Sequence, residues 1–148
     1  MSDKGIVDPE KLSLVDCKII KGQVETPEDF SISKVEGHRL DHGLELGFNL
    51  DDKLVKVDYT IDIQTDSKGG NEVEATVSFH FAYVYKVENL ENLVLSIEED
   101  KKTLDPVLSS TLTSISYSTS RGILITRLQG TAFQNFILPI INPNNLFT

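Results

Sequence analysis

The sequence predicts an α+β fold, a two-layer sandwich in which a four-stranded antiparallel sheet is covered by one long C-terminal helix. Three observations carry that expectation. Val55, Val57, Tyr59, Ile61 and Ile63 alternate with Lys56, Asp58, Thr60, Asp62 and Gln64, the period of a strand with one buried and one wet face. The same alternation returns beyond a turn cluster, at Val73, Ala75, Val77, Phe79, Phe81, Tyr83 and Tyr85. Asp105-Pro106 then opens a helical pattern that runs to Gly130. A sheet with one apolar face needs a cover, and this helix supplies it. At 148 residues the chain can bury one core, so residues 1–148 read as a single domain.

Taken in order, Leu12 to Gln23 gives a first strand, irregular because Val15 and Ile20 break its alternation. Glu25, Glu28 and Asp29 around Pro27 read as a capped turn. Leu40, Leu44, Leu46 and Phe48 suggest a second strand, ended by Asn49 to Asp52. The third runs from Leu54 to Gln64, and the turn cluster Ser67-Lys68-Gly69-Gly70-Asn71 joins it to the fourth as a long antiparallel hairpin. In that fourth strand the row Phe79, Phe81, Tyr83, Tyr85 reads as a core face, with groove lining as the alternative for the two tyrosines. Asn89 to Lys102, with its Glu98-Glu99-Asp100-Lys101-Lys102 run, reads as a solvated loop.

The helix start is chemical. The Asp105 side chain can accept from free N–H groups of the first turn, and Pro106 lacks a donor that had no partner there anyway. Leu104, Leu108, Leu112, Ile115, Gly122 or Ile123, and Leu128 fall on one stripe, which is the expected inward face. Arg127 sits near the negative end of the helix dipole and Gly130 supplies the stop. From Pro106 to Gln129 such a helix is about 36 Å long. Its many Ser and Thr residues, Ser109 to Ser120, are mediocre helix formers, so packing must hold it. Small side chains also let a second helix approach closely; a solvated Ser/Thr face is the alternative.

Composition excludes several classes. A net charge of −9 argues against nucleic acid, whose phosphates need clustered Lys and Arg. No apolar run approaches the roughly 20 residues that cross a bilayer, and Met1-Ser2-Asp3-Lys4-Gly5 lacks a signal-peptide core, so the expected location is cytoplasmic. A lone Cys17 is compatible with that compartment. His38 and His42 have the spacing of a zinc pair on a helix, but on a strand residues four apart stand about 13 Å apart, so no metal site is expected. His80 falls on the wet side of its strand. No Ser, Cys or carboxylate is arranged with a base for catalysis, and no cofactor motif is present; an enzyme is not expected.

After Gly130 the chain turns apolar: Phe133, Phe136, Ile137, Leu138, Pro139, Ile140, Ile141, Pro143, Leu146 and Phe147. Two prolines forbid a regular strand or helix here, so an exposed binding surface is expected. Tyr117 to Arg121, Leu128-Gln129-Gly130-Thr131, Phe136 to Pro143 and Leu146-Phe147 together resemble the C-terminal signature of the SecB and SecB-like export chaperones. In that family a tyrosine and an arginine sit mid-helix, a glycine ends the helix, and a Leu-(Ala/Pro)-Pro-Ile/Val-Asn segment leads to a terminal Leu-Phe. Family members continue into a second helix, ahead of which this sequence ends.

The resemblance implies an ATP-independent holdase that binds unfolded polypeptides or preproteins in apolar grooves, without a cofactor. It also implies a tetramer, a dimer of dimers packed through the long helices, and hand-over of clients to the SecA motor. The expected client groove is Phe133, Phe136, Ile137, Leu138 and Ile140 with Tyr83 and Tyr85; the expected oligomer interface is Leu112, Ile115, Thr119 and Gly122. Alternatives are a dedicated chaperone for one client such as an antitoxin, and a small apolar-ligand carrier.

Overall fold

A computed structural model describes residues 5–69 and 73–147; Met1 to Lys4, Gly70 and Asn71 of the expected turn, Glu72, and Thr148 lie outside the described residues. Strands β1 (Leu12–Glu25), β2 (Val35–Asn49), β3 (Leu54–Ser67) and β4 (Thr76–Val87) form one antiparallel sheet in the order β1-β4-β3-β2. β2 to β4 form a meander, while the link after β1 carries the chain from one edge of the sheet to the other. β1 and β2 are therefore the edge strands.

Register follows the hydrophobic pattern, because a slip of one residue would turn every apolar side chain to the wet face. Tyr59 on β3 lies opposite Phe81 on β4 and Leu44 on β2, and all three are buried. The irregularity of the first strand has a structural cause. Pairing with β4 skips from Leu14 to Asp16 and from Ile19 to Lys21, so Val15 and Ile20 are the extra residues of two bulges. Both are more than half exposed, at 55% and 54%.

Helix α1 (Pro106–Arg127) covers the apolar face. Asp105 Oδ1 accepts from the N–H groups of Val107 at 2.8 Å and Leu108 at 3.3 Å, and Gly130 takes φ +78°, a conformation open to glycine, just past the helix end. Leu108, Leu112, Leu124 and Leu128 are buried, each contributing about 1.5–3 kcal/mol by removal from water. The middle of the inward stripe differs from the expectation. Ser116 and Ser120 face the sheet with Tyr117, whereas Ile115 is 42% exposed and Gly122 is on the surface. The reason lies across the interface. Tyr83 and Tyr85 fill the space beneath this part of the helix and bring hydroxyls that need partners.

Asn89 to Lys102 is not a plain loop. Leu90–Asn92 forms a 3-10 turn with Leu90 buried, and β5 (Val94–Glu98) pairs with β6 (Lys101–Leu104) as a separate two-stranded hairpin. The acidic run supplies the hairpin turn. Its sequence hides the strands because Leu95 and Ile97 stand in solvent at 43% and 65% exposure, with no buried alternation to mark them.

Candidate functional site

Ser116 and Ser120 are four residues apart on the helix, and Tyr83 and Tyr85 two apart on the strand. Those offsets span about 6 Å and 6.6 Å respectively, so the two pairs match. Tyr83 Oη lies 2.6 Å from Ser120 Oγ and Tyr85 Oη 2.7 Å from Ser116 Oγ. Each serine already donates to a helix carbonyl, Ser120 to Ser116 O and Ser116 to Leu112 O, both at 2.8 Å. The serine oxygens therefore accept, and the tyrosines donate. Burial pushes both phenols above their ordinary pKa, which keeps the donors protonated.

On the β2 side of the helix the sheet is covered by the chain's own C-terminal segment. Thr131 Oγ1 donates to Leu128 O at 2.7 Å and accepts from Phe133 N–H at 3.0 Å, turning the chain back beneath the helix end. Phe133 is then buried against the His38 ring on β2, with centroids 5.8 Å apart, and Phe136 packs edge-on to the same ring at 5.2 Å. Leu138 fills the remaining core position.

From there the segment runs antiparallel to α1, extended as far as Asn142 and then in a short 3-10 turn, Pro143–Leu146. Arg121 Nε donates to Leu138 O at 3.0 Å, and Arg121 Nη2 and Tyr117 Oη both donate to Pro139 O, at 3.2 and 2.7 Å. The Arg121 guanidinium also lies over the Tyr117 ring, 5.3 Å from its centroid. Asn144 Nδ2 reaches Ser110 Oγ at 3.2 Å, and Phe147 makes a single parallel bridge to Leu44 on β2. Deeper in, His42 Nδ1 is 2.6 Å from Tyr59 Oη, and burial lowers the pKa of His42 and of His38.

On the β1 side nothing covers the corresponding space among the described residues. Val7, Pro9, Leu12, Leu14, Val107, Thr111 and Ile115 wall an open apolar groove of about 440 Å³, floored by Tyr85 and Leu112.

The seven residues expected to line one groove are thus divided. Tyr83, Tyr85, Phe133 and Leu138 are buried, so these four are core rather than open lining; Tyr85 touches only the β1-side groove. Phe136 is half-buried, and Ile137 and Ile140 point outward at 61% and 92% exposure. Of the expected interface residues, Leu112 is core because it faces the sheet, while Ile115, Thr119 and Gly122 share the outer stripe of α1 with Val107 and Ile125. Leu12, Leu14, Val107 and Thr111 escaped sequence reasoning; they come from two segments far apart in the chain, whose proximity the folded structure alone reveals. Among the described residues no group of three His, Cys, Asp or Glu side chains could hold a metal ion, and no helix is long and apolar enough to cross a membrane.

Comparison with known proteins gives one kind of likeness. No family model matches the chain, and no curated protein does. Among solved structures, a SecB-like chaperone of Mycobacterium tuberculosis, in complex with a ChAD peptide from an antitoxin, is similar with a TM-score of 0.61. The identity is 14%, over 89% of this chain and 91% of that one. At that identity the likeness is one of architecture, and it establishes that this chain has the SecB-like α+β fold.

Proposed function

We propose that this protein is an ATP-independent holdase that binds extended, apolar stretches of unfolded polypeptide beside α1. The observation that supports this best is the channel between α1 and β2. There the protein holds an extended apolar segment of its own through donors aimed at backbone carbonyls, from Tyr117 and Arg121. Backbone recognition is indifferent to side-chain sequence, which suits a binder of many clients. The fold is shared with a chaperone whose solved complex contains a peptide, which supports the same reading.

Client contact would fall on Phe136 and Ile137 and, while the C-terminal segment is in place, on Ile140, all of which present apolar surface, with burial contributing roughly 25 cal/mol per Å². Buried Phe133, Leu138, Tyr83 and Tyr85 would shape the site from beneath. Assembly as a dimer of dimers through Ile115, Thr119 and Gly122 would set several such sites side by side. In the finer reading the protein is cytoplasmic, its clients include preproteins, and the SecA motor receives them. Neither nucleic acid nor membrane insertion enters the mechanism, and no catalytic step is needed.

A second reading, a dedicated chaperone for a single antitoxin-type client, is favoured by the antitoxin peptide in the related complex. A small-ligand carrier is less well supported. Tyr59, Phe81 and Tyr83 stack in a row in the interior that a ligand would need.

The deciding experiment dilutes a chemically denatured, unrelated protein into buffer and follows light scattering while this chain is titrated. Suppression that saturates at a fixed small ratio without nucleotide supports the general holdase. Scattering unchanged at large excess removes it and leaves the single-client reading.

A further inference from the structure

The C-terminal segment has two parts with different attachments. Up to Leu138 it belongs to the core, since Phe133 is 0% and Leu138 2% exposed. Beyond Leu138 no described residue is buried, and Ile140 at 92% and Phe147 at 38% stand partly or wholly in solvent. What holds the second part is a short set of contacts: the two donors on Pro139 O, the Asn144 to Ser110 hydrogen bond, one bridge to β2, and the half-buried side chains of Ile141 and Leu146 against the core. Pro139 and Pro143 bias the residues before them to extended backbone, so residues 139–142 are pre-shaped as a strand-like peptide, which Pro143–Leu146 closes with a 3-10 turn. Along its outer edge β2 pairs with nothing else among the described residues except Phe147.

These are the properties of a ligand in a peptide groove. We infer that residues 139–147 are a built-in stand-in for the client, which must leave the α1–β2 channel before an extended apolar polypeptide can take the same donors and extend the pairing along β2. This rests on the holdase reading and deepens it. Tyr117 and Arg121 are then the residues that read the client backbone, and the segment acts as a tethered competitor. Its local concentration is in the millimolar range typical of short tethers, so it admits only clients with several contacts. Apparent affinity falls by the fraction of molecules with the channel open, so closing or loosening the segment should move affinity in opposite directions.

The test uses the full chain with Cys17→Ser, Ser110→Cys and Asn144→Cys, joined by a reducible bifunctional thiol cross-linker. Cys17 and Asn144 are exposed and Ser110 lies near the surface, so the fold should tolerate these changes. The probe is fluorescein-labelled α-lactalbumin, kept unfolded by reduction and carboxymethylation, with affinity read by anisotropy. Cross-linked protein should bind at least tenfold more weakly than the same protein after reduction. Asn144→Ala alone, which removes the hydrogen bond to Ser110, should bind two- to fivefold more tightly than the parent. Equal affinity before and after reduction overturns this inference and leaves the holdase reading standing. No binding by the parent or by the reduced protein removes both.

Discussion

Two tyrosine–serine pairs hold the helix to the sheet, and their donor directions make an asymmetric expectation. Ser120→Ala leaves the buried Tyr83 hydroxyl without its acceptor, a loss of about 1–3 kcal/mol. Tyr83→Phe leaves Ser120 still donating to Ser116 O, so about 0.5–1.5 kcal/mol is expected, and the double variant should be no worse than Ser120→Ala. Urea denaturation of the three proteins measures this; a larger loss for Tyr83→Phe than for Ser120→Ala would reverse the assigned donors. His42 gives a pH dependence. Burial lowers its pKa, against a smaller upward pull from Asp41, so the folded state favours the neutral ring. The unfolded value is about 6.5, and the unfolded chain therefore binds more protons just below it. Stability from this residue is present above about pH 6.5 and is lost as pH falls through the folded value. Melting temperature should decline over that window, and His42→Gln should flatten the decline.

At the scale of elements, two glycines of the α1 region should respond with opposite signs. Gly122 is on the helix surface with nothing within 4 Å of an added Cβ in the single chain, so Gly122→Ala should stabilise the isolated fold by about 0.5–1 kcal/mol through lower backbone entropy. Gly130 has φ +78°, so Gly130→Ala should destabilise by about 1–2 kcal/mol although the space beside it is open. Denaturant midpoints compare the two. These ends and strands were legible because their signals are local: Asp105-Pro106 opens the helix, Gly130 closes it, and Val55 to Ile63 alternates. Even the bulges were visible, as breaks in the pattern at Val15 and Ile20. The inward face of mid-helix was not. Nothing near Ser116 or Ser120 in sequence shows that two tyrosine hydroxyls about thirty to forty residues earlier want them. Strand order was hidden too, since β1 pairs with β4, from which β2 and β3 separate it along the chain. For the same reason the C-terminal segment was legible as apolar and irregular, but not as core up to Leu138 and surface beyond it.

For the whole molecule the question is what covers the outer stripe of α1. Val107, Ile115 and Ile125 are 62%, 42% and 40% exposed and lie on the helix surface with small residues between them. A soluble monomer gains nothing from such a stripe, whereas close packing of two helices uses both the apolar and the small residues. Val107→Asp with Ile115→Asp tests this cleanly, because neither residue is part of the core and the isolated fold should lose little. In an assembly packed through α1 the same two carboxylates would be buried without partners, which an interface does not tolerate. Light scattering after gel filtration should therefore show the parent at a multiple of its chain mass and the variant at a smaller one, with secondary structure unchanged. The functional consequence follows from linkage. A client that spans several channels gains from effective concentration, typically by 10²–10⁴-fold, so the dissociated variant should lose affinity for long clients by about two orders of magnitude. Short peptides that fill one channel should bind both proteins alike. A parent already at monomer mass, or equal loss for long and short clients, would detach assembly from binding and leave the single channel between α1 and β2 as the functional unit.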